Sequence, residues 1–120
     1  MPVRLLTSSV LKWADAKTVD GAVRRWAQRV AQDKQDVLEI GYFGSYARDD
    51  WGVGSDLDLI IIVDSSKQPF ERRVVEWDVT ELPVPADVLV YTKEEWQSLS
   101  KGRFYQTVMQ EAVWVYQRCA

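Results

Sequence analysis

The stretch GYFGSYARDDWGVGSDLDLIIIVD, Gly41 to Asp64, gathers the residues of this chain best suited to chemistry. Asp56 and Asp58 stand two apart at the entrance of an apolar run, Leu59 to Val63. On a strand, residues two apart point to the same face. A rise of about 3.3 Å per residue then puts their Cβ atoms roughly 6.5 Å apart. Carboxylates at that separation can share one metal ion or bracket a pair about 3.5–4 Å apart. Bare carboxylates against a hydrophobic core are costly unless something positive sits on them. Taken alone, Asp-x-Asp also fits a polar strand entrance in which Ser55-Asp56 makes a turn.

Two neighbours give the pair more meaning. Gly44 ends one expected strand and Ser45 opens an expected helix, so backbone N–H groups and the serine hydroxyl face an incoming anion. A phosphate cradle followed by carboxylates on the next strand is what a Mg2+–triphosphate requires. Asp87, in VPADVLVY, lies near the start of another apolar strand and shares a face with Leu89 and Tyr91. If that strand lies beside the first two, Asp87 meets Asp56 and Asp58; a turn residue after Pro85 is the alternative. The chain has no histidine, so the commonest general base and transition-metal ligand is missing. Catalysis here must rest on carboxylates, hydroxyls, Lys, Arg or a hard cation held by oxygens.

The elements that must position these groups follow from periodicity. Val19, Ala22, Val23, Trp26, Ala27 and Val30 recur at helical spacing, which predicts a helix over 16–34 with Asp15 as its N-cap. Its opposite face, Arg24, Arg25, Gln28 and Gln32, reads as a solvated surface. Val37–Phe43 reads as a strand, Ser45–Arg48 as a short helix, and Asp49–Ser55 as a loop. Leu57–Val63 is apolar on both faces, as a central covered strand would be. Pro69 suits the first turn of a helix presenting Phe70, Val74 and Trp77 on one face. Val84–Tyr91 reads as a third strand, and Thr92-x-x-Glu95 as a capping box opening a helix that Gly102 should end. Phe104, Val108 and Glu111 continue in another short helix, and Ala112–Tyr116 in a last strand. Val10, Leu11 and Trp13 could form a strand or hook. Trp26, Trp77 and Trp96 sit on apolar faces and read as core; Trp51, in the loop, could stack on a base or on a partner. The sum is a single α/β (α+β) domain over 1–120, a sheet with helices packed on it.

Composition narrows the class. The net charge of −3 argues against a domain whose main task is gripping nucleic acid, but not against a nucleotide substrate whose charge metal ions neutralise. The single cysteine, Cys119, allows no internal disulfide. The longest apolar run is too short to span a membrane and the start lacks a leader-like apolar core, so the expected location is the cytoplasm.

Gly44-Ser45, ten residues, then Asp56-Leu57-Asp58 resembles the signature of the nucleotidyltransferase superfamily that shares the DNA polymerase beta-like palm. Small size and the GSYAR context are most similar to minimal nucleotidyltransferases. The QEAVWVYQ ending resembles that family's closing Glu-Gly-hydrophobic segment, with Ala112 where Gly is usual. The resemblance implies a palm-like mixed sheet and transfer of AMP from ATP to a hydroxyl with release of pyrophosphate. It implies that Gly44 and Ser45 hold the triphosphate, that Asp56 and Asp58 hold two Mg2+, and that Asp87 ligates metal and assists deprotonation of the acceptor. Arg48 would contact phosphate or form a salt bridge to Asp49 or Asp50. It further implies an antitoxin that adenylylates a tyrosine of a HEPN-type ribonuclease toxin, a possible hetero-oligomer without direct nucleic-acid binding. A binding-only relative and an antibiotic-modifying transferase are the other readings. Asp49 departs from the family, which usually has glycine there; it adds negative charge near the phosphates and removes a flexible residue.

Overall fold

The computed structural model describes residues 13–118. Helix α1 (Ala16–Asp33) is followed by β1 (Val37–Phe43), α2 (Ser45–Arg48), β2 (Leu57–Val63), a 3-10 helix (Phe70–Glu76), β3 (Ala86–Thr92), α3 (Lys93–Ser98), α4 (Arg103–Glu111) and β4 (Val113–Gln117). The strands form one mixed sheet in the order β3-β2-β1-β4. β2 runs antiparallel to β1 and parallel to β3, and β4 runs antiparallel to β1. This is the α+β architecture that the patterning implied.

α1 forms where its apolar period predicts. Asp15 caps it by accepting the Thr18 N–H at 2.8 Å, and Val19, Val23, Trp26 and Ala27 are its buried stripe. That stripe covers one face of the sheet, against Ile40, Leu57, Leu59, Ile61, Val63, Val88 and Val90. The outward face, Arg24, Arg25, Gln28 and Gln32, is exposed. The opposite face carries Ile60 and Ile62 under Trp96 of α3 and Val108 of α4. β2 is therefore covered on both sides, which explains its unbroken apolar run. Asp58 precedes Ile60 by two residues and so shares the α3/α4 face. Among the described residues no helix is long and apolar enough to cross a membrane.

The segment after Pro69 differs from expectation. It is a 3-10 helix, and of Phe70, Val74 and Trp77 only Trp77 is buried. Arg73 turns inward instead, at 6% exposure. Its guanidinium finds a complete set of acceptors: the Gln68 carbonyl at 2.9 Å, the Val90 carbonyl at 3.0 Å, and both carboxylate oxygens of Glu95 at 2.5 and 3.0 Å. A charge can be buried when it is paired and hydrogen-bonded in this way. Phe70 stays at the surface, its ring tilted against Tyr91 with centroids 5.0 Å apart.

The Thr92/Glu95 capping box is present. However, α3 ends at Ser98, and Gly102 is the N-cap of α4 rather than the stop of α3. The Gly102 N–H closes that turn on the Leu99 carbonyl at 2.8 Å. β3 starts at Ala86, after Pro85, whose missing N–H removes a ladder donor. Val10, Leu11 and Cys119 lie outside the described residues.

Candidate active site

Parallel pairing of β2 and β3 brings the acidic groups together. The register sets Leu57 against Ala86 and Asp58 against Asp87, and the Leu57 N–H bonds the Pro85 carbonyl at 2.8 Å to fix that start. Neighbouring strands lie about 4.8 Å apart, so two carboxylates stand side by side on one face at the mouth of the sheet. Asp58 is half-buried and Asp87 exposed; Asp56 is exposed just ahead of β2. Burial pushes the Asp58 carboxyl above its usual range, and the charges of Asp87 and then Asp56 push it further. Arg48 opposes this shift. Among the described residues, no three acidic or other ligand side chains are already drawn in close enough to hold a metal ion. The donor set is all carboxylate oxygen and mutually repelling, which suits a hard divalent cation.

The Gly44-Ser45 turn sits directly on this pair. β1 ends at Phe43, and Gly44 takes φ 80° and ψ −153°, a backbone region reserved in practice for glycine. The conformation therefore calls for glycine, and a Cβ added there would also run into Asp58 Oδ2 and turn that carboxylate away. The Gly44 carbonyl accepts from the Ala47 and Arg48 N–H groups, each at 3.0 Å, and so opens α2. The Gly44 N–H donates to Glu111 Oε2 at 2.7 Å. Arg48 donates to the same oxygen at 3.3 Å and to Asp50 Oδ2 at 3.1 Å. Arg48 thus pairs with Asp50, one of the two expected partners, and with Glu111.

The spacer between the turn and the carboxylates is folded by its aromatics. Trp51 stacks on Tyr46, with ring centroids 5.6 Å apart and planes 9° apart. One face of Trp51 is therefore occupied by the chain itself. Tyr46 is buried, and its hydroxyl donates to the Ala14 carbonyl at 2.9 Å. The Trp13 indole N–H reaches the Ser55 carbonyl at 3.3 Å, while Ser55 Oγ accepts the Gly52 N–H at 2.8 Å. Asp49 is the C-cap of α2 in the left-handed region, at φ 64° and ψ 33°. Aspartate tolerates this region better than most residues, but glycine adopts it without the Cβ penalty. Asp49→Gly is therefore expected to stabilise the protein by roughly 0.5–1 kcal/mol. A higher urea midpoint with an unchanged slope would record this; a lower midpoint would contradict it.

The structure thus brings Gly44, Asp58 and Asp87 to one place, with Ser45, Arg48 and Asp56 around them. Sequence reasoning placed Glu111 on a helix but not at this site. Its contact with Gly44 spans 67 residues, and no local spacing announces it.

The chain matches the family model of the nucleotidyltransferase domain over residues 23–115. No curated protein matches it significantly. Its fold is similar to the crystal structure of a candidate nucleotidyltransferase from Sulfolobus solfataricus, with a TM-score of 0.63 and 17% identity, covering 86% of this chain and 84% of that one. It is also similar to a crystal structure of a toxin-antitoxin with AMP-PNP, with a TM-score of 0.58 and 16% identity, covering 79% of this chain and 73% of that one. The family match spans most of the 120 residues, and the chain belongs to the nucleotidyltransferase domain family.

Proposed function

We propose that this chain, acting as a single domain, transfers AMP from ATP to a hydroxyl of a partner protein, a tyrosine, and so serves as the antitoxin of a HEPN-type toxin. The observation that carries the reading is the Asp58–Asp87 register beneath Gly44. It supports a site in which a triphosphate rests on the Gly44-Ser45 turn while carboxylates stand below it. The neighbour that contains AMP-PNP in a toxin-antitoxin structure supports both the nucleotide and the partner.

Asp56, Asp58 and Asp87 are the residues that would hold two Mg2+. Bound there, the ions would neutralise phosphate charge and favour the ionised acceptor oxygen. The chain's own groups do the rest. Gly44 makes the turn and the Ser45 N–H and hydroxyl orient the triphosphate on it, while Arg48 supplies a cation beside it. Asp87, the more exposed carboxylate of the pair, takes the proton from the acceptor hydroxyl. That oxygen then bonds to the α-phosphorus and pyrophosphate leaves. These groups form the nucleotide side of the site, and the partner presents the acceptor hydroxyl.

The test uses purified full-length protein, Mg2+ and ATP labelled in the α-phosphate, with a co-expressed partner. Label is expected on the partner, and none with the Asp56→Asn, Asp58→Asn double variant. Equal labelling by that variant would refute the metal assignment.

A further inference from the structure

We propose that Glu111 is a positioning residue of the nucleotide site, fixing the Gly44 turn and Arg48 from the far end of the sequence; this rests on the nucleotide reading above. The register of the sheet delivers it there. β4 pairs antiparallel to β1 with Val113 opposite Tyr42. Two residues further along that register, past the paired ends, Glu111 comes opposite Gly44. Glu111 is also the last residue of α4, so the helix end and the strand start together set its place. Its side chain is 17% exposed.

A single oxygen, Glu111 Oε2, accepts both the Gly44 N–H and the Arg48 guanidinium. Each bond has a consequence at the carboxylates. Gly44 is buried, so its N–H needs a protein partner, and that bond fixes the peptide plane entering the turn. The turn in turn lies against Asp58 Oδ2. Glu111 therefore holds Gly44 down on Asp58 and keeps the donors after it aimed outward. Through Arg48 it keeps a positive charge near enough to Asp58 to favour its ionised form.

Stability alone does not account for a carboxylate at this position. It adds negative charge to a place already crowded with it, and its charge works against ionisation of Asp58. A neutral acceptor would satisfy the Gly44 N–H equally well. The carboxylate adds a charged hold on Arg48, whose Nε is at the same time paired with Asp50 and whose Nη1 reaches Glu111. Glu111 does not touch the reacting atoms, and its effect passes through the turn and the guanidinium.

The experiment titrates full-length protein with α,β-methylene ATP and Mg2+ by calorimetry, well below the melting temperature of every variant. Glu111→Ala leaves a buried donor unpaired and is expected to weaken binding about tenfold. Glu111→Gln keeps an acceptor for Gly44 but gives up the charge that holds Arg48, and is expected to recover most of the loss, to within about threefold of wild type. Wild-type affinity in Glu111→Ala would overturn the assignment. So would equal weakening in both variants, which packing loss at the helix end would produce. If Glu111→Ala does not fold, Glu111→Asp, one methylene too short to reach, takes its place with the same expectation. Absence of binding by the wild-type protein would instead overturn the nucleotide reading, and this inference with it.

Discussion

Asp58→Asn is expected to lose transfer activity by about 1000-fold or more and yet to melt at a higher temperature than the wild type. The loss follows from removing one of the carboxylates proposed to hold the cations, whose charge stabilisation is worth several kcal/mol. The gain follows from the apo geometry. Asp58 is half-buried, has Asp87 beside it in the parallel register, and lies under the Gly44 backbone. Like charges directly adjacent on a sheet destabilise it. Asparagine keeps the shape and removes the charge.

The pH dependence separates this cause from others. Burial first, and then the neighbouring carboxylates, raise the folded-state pKa of Asp58 above the reference value of 3.8. The native state therefore holds a proton that the unfolded chain has released. Wild-type stability consequently falls as pH rises from about 3.8 through the raised value. Asp58→Asn lacks that fall. Its advantage in Tm should be full above the raised value and should vanish below 3.8. Mg2+ with the ATP analogue should reverse the ranking, because ligand that binds only the native state stabilises the wild type and not the variant. A variant that melts lower than wild type at pH 8 without ligand would sink the argument.

This conflict between stability and function was partly legible in the sequence. The alternation of Asp56, Asp58, Ile60 and Ile62 fixed the face, and β1, α2 and β2 fall at the residues that periodicity and turn chemistry indicate. Local signals suffice there because each element satisfies its own pattern. The side-by-side placement of Asp58 and Asp87 depended on β3 pairing parallel with β2, which the sequence allowed without requiring. Glu111 carried a signal only as part of the closing QEAVWVYQ segment, which gave it no place at the site, since that place depends on the β1–β4 register across the whole domain. Arg73 was hidden for a similar reason. It falls at helical spacing from Phe70 and Trp77, but nothing local announces acceptors for a charge on that face, and only the tertiary arrangement of Gln68, Val90 and Glu95 makes an inward guanidinium possible. Trp51 carried an aromatic signal whose partner, Tyr46, became evident only when the spacer was seen folded.

Glu95→Ala is the second large effect, and it falls on stability. Glu95 bonds Arg73 through both oxygens and accepts the Thr92 N–H at 2.9 Å, so one side chain closes a buried ion pair and a capping box. Removing one partner of a buried pair costs about 3–5 kcal/mol. Glu95 is 42% exposed at its side chain, and water entering there screens the charge left on Arg73. A discounted cost of about 2 kcal/mol, roughly 10 °C in Tm, is therefore expected. The pairing with Arg73 holds the Glu95 carboxyl at about 2, below its reference value of 4.5. A depressed folded-state value gives stability that is fully present above 4.5 and is lost as pH falls toward 2. Wild type should lose stability through that window, and Glu95→Ala should lose less. Arg73 meets β3 at Val90, three residues beyond Asp87 and so about 10 Å along the strand from the candidate site. The transfer rate per folded molecule should therefore be unchanged in Glu95→Ala at 10 °C. Loss of activity in proportion to none of the unfolding would mean that the Arg73 anchor reaches the carboxylates through β3, and that the two ends of the sheet are not independent.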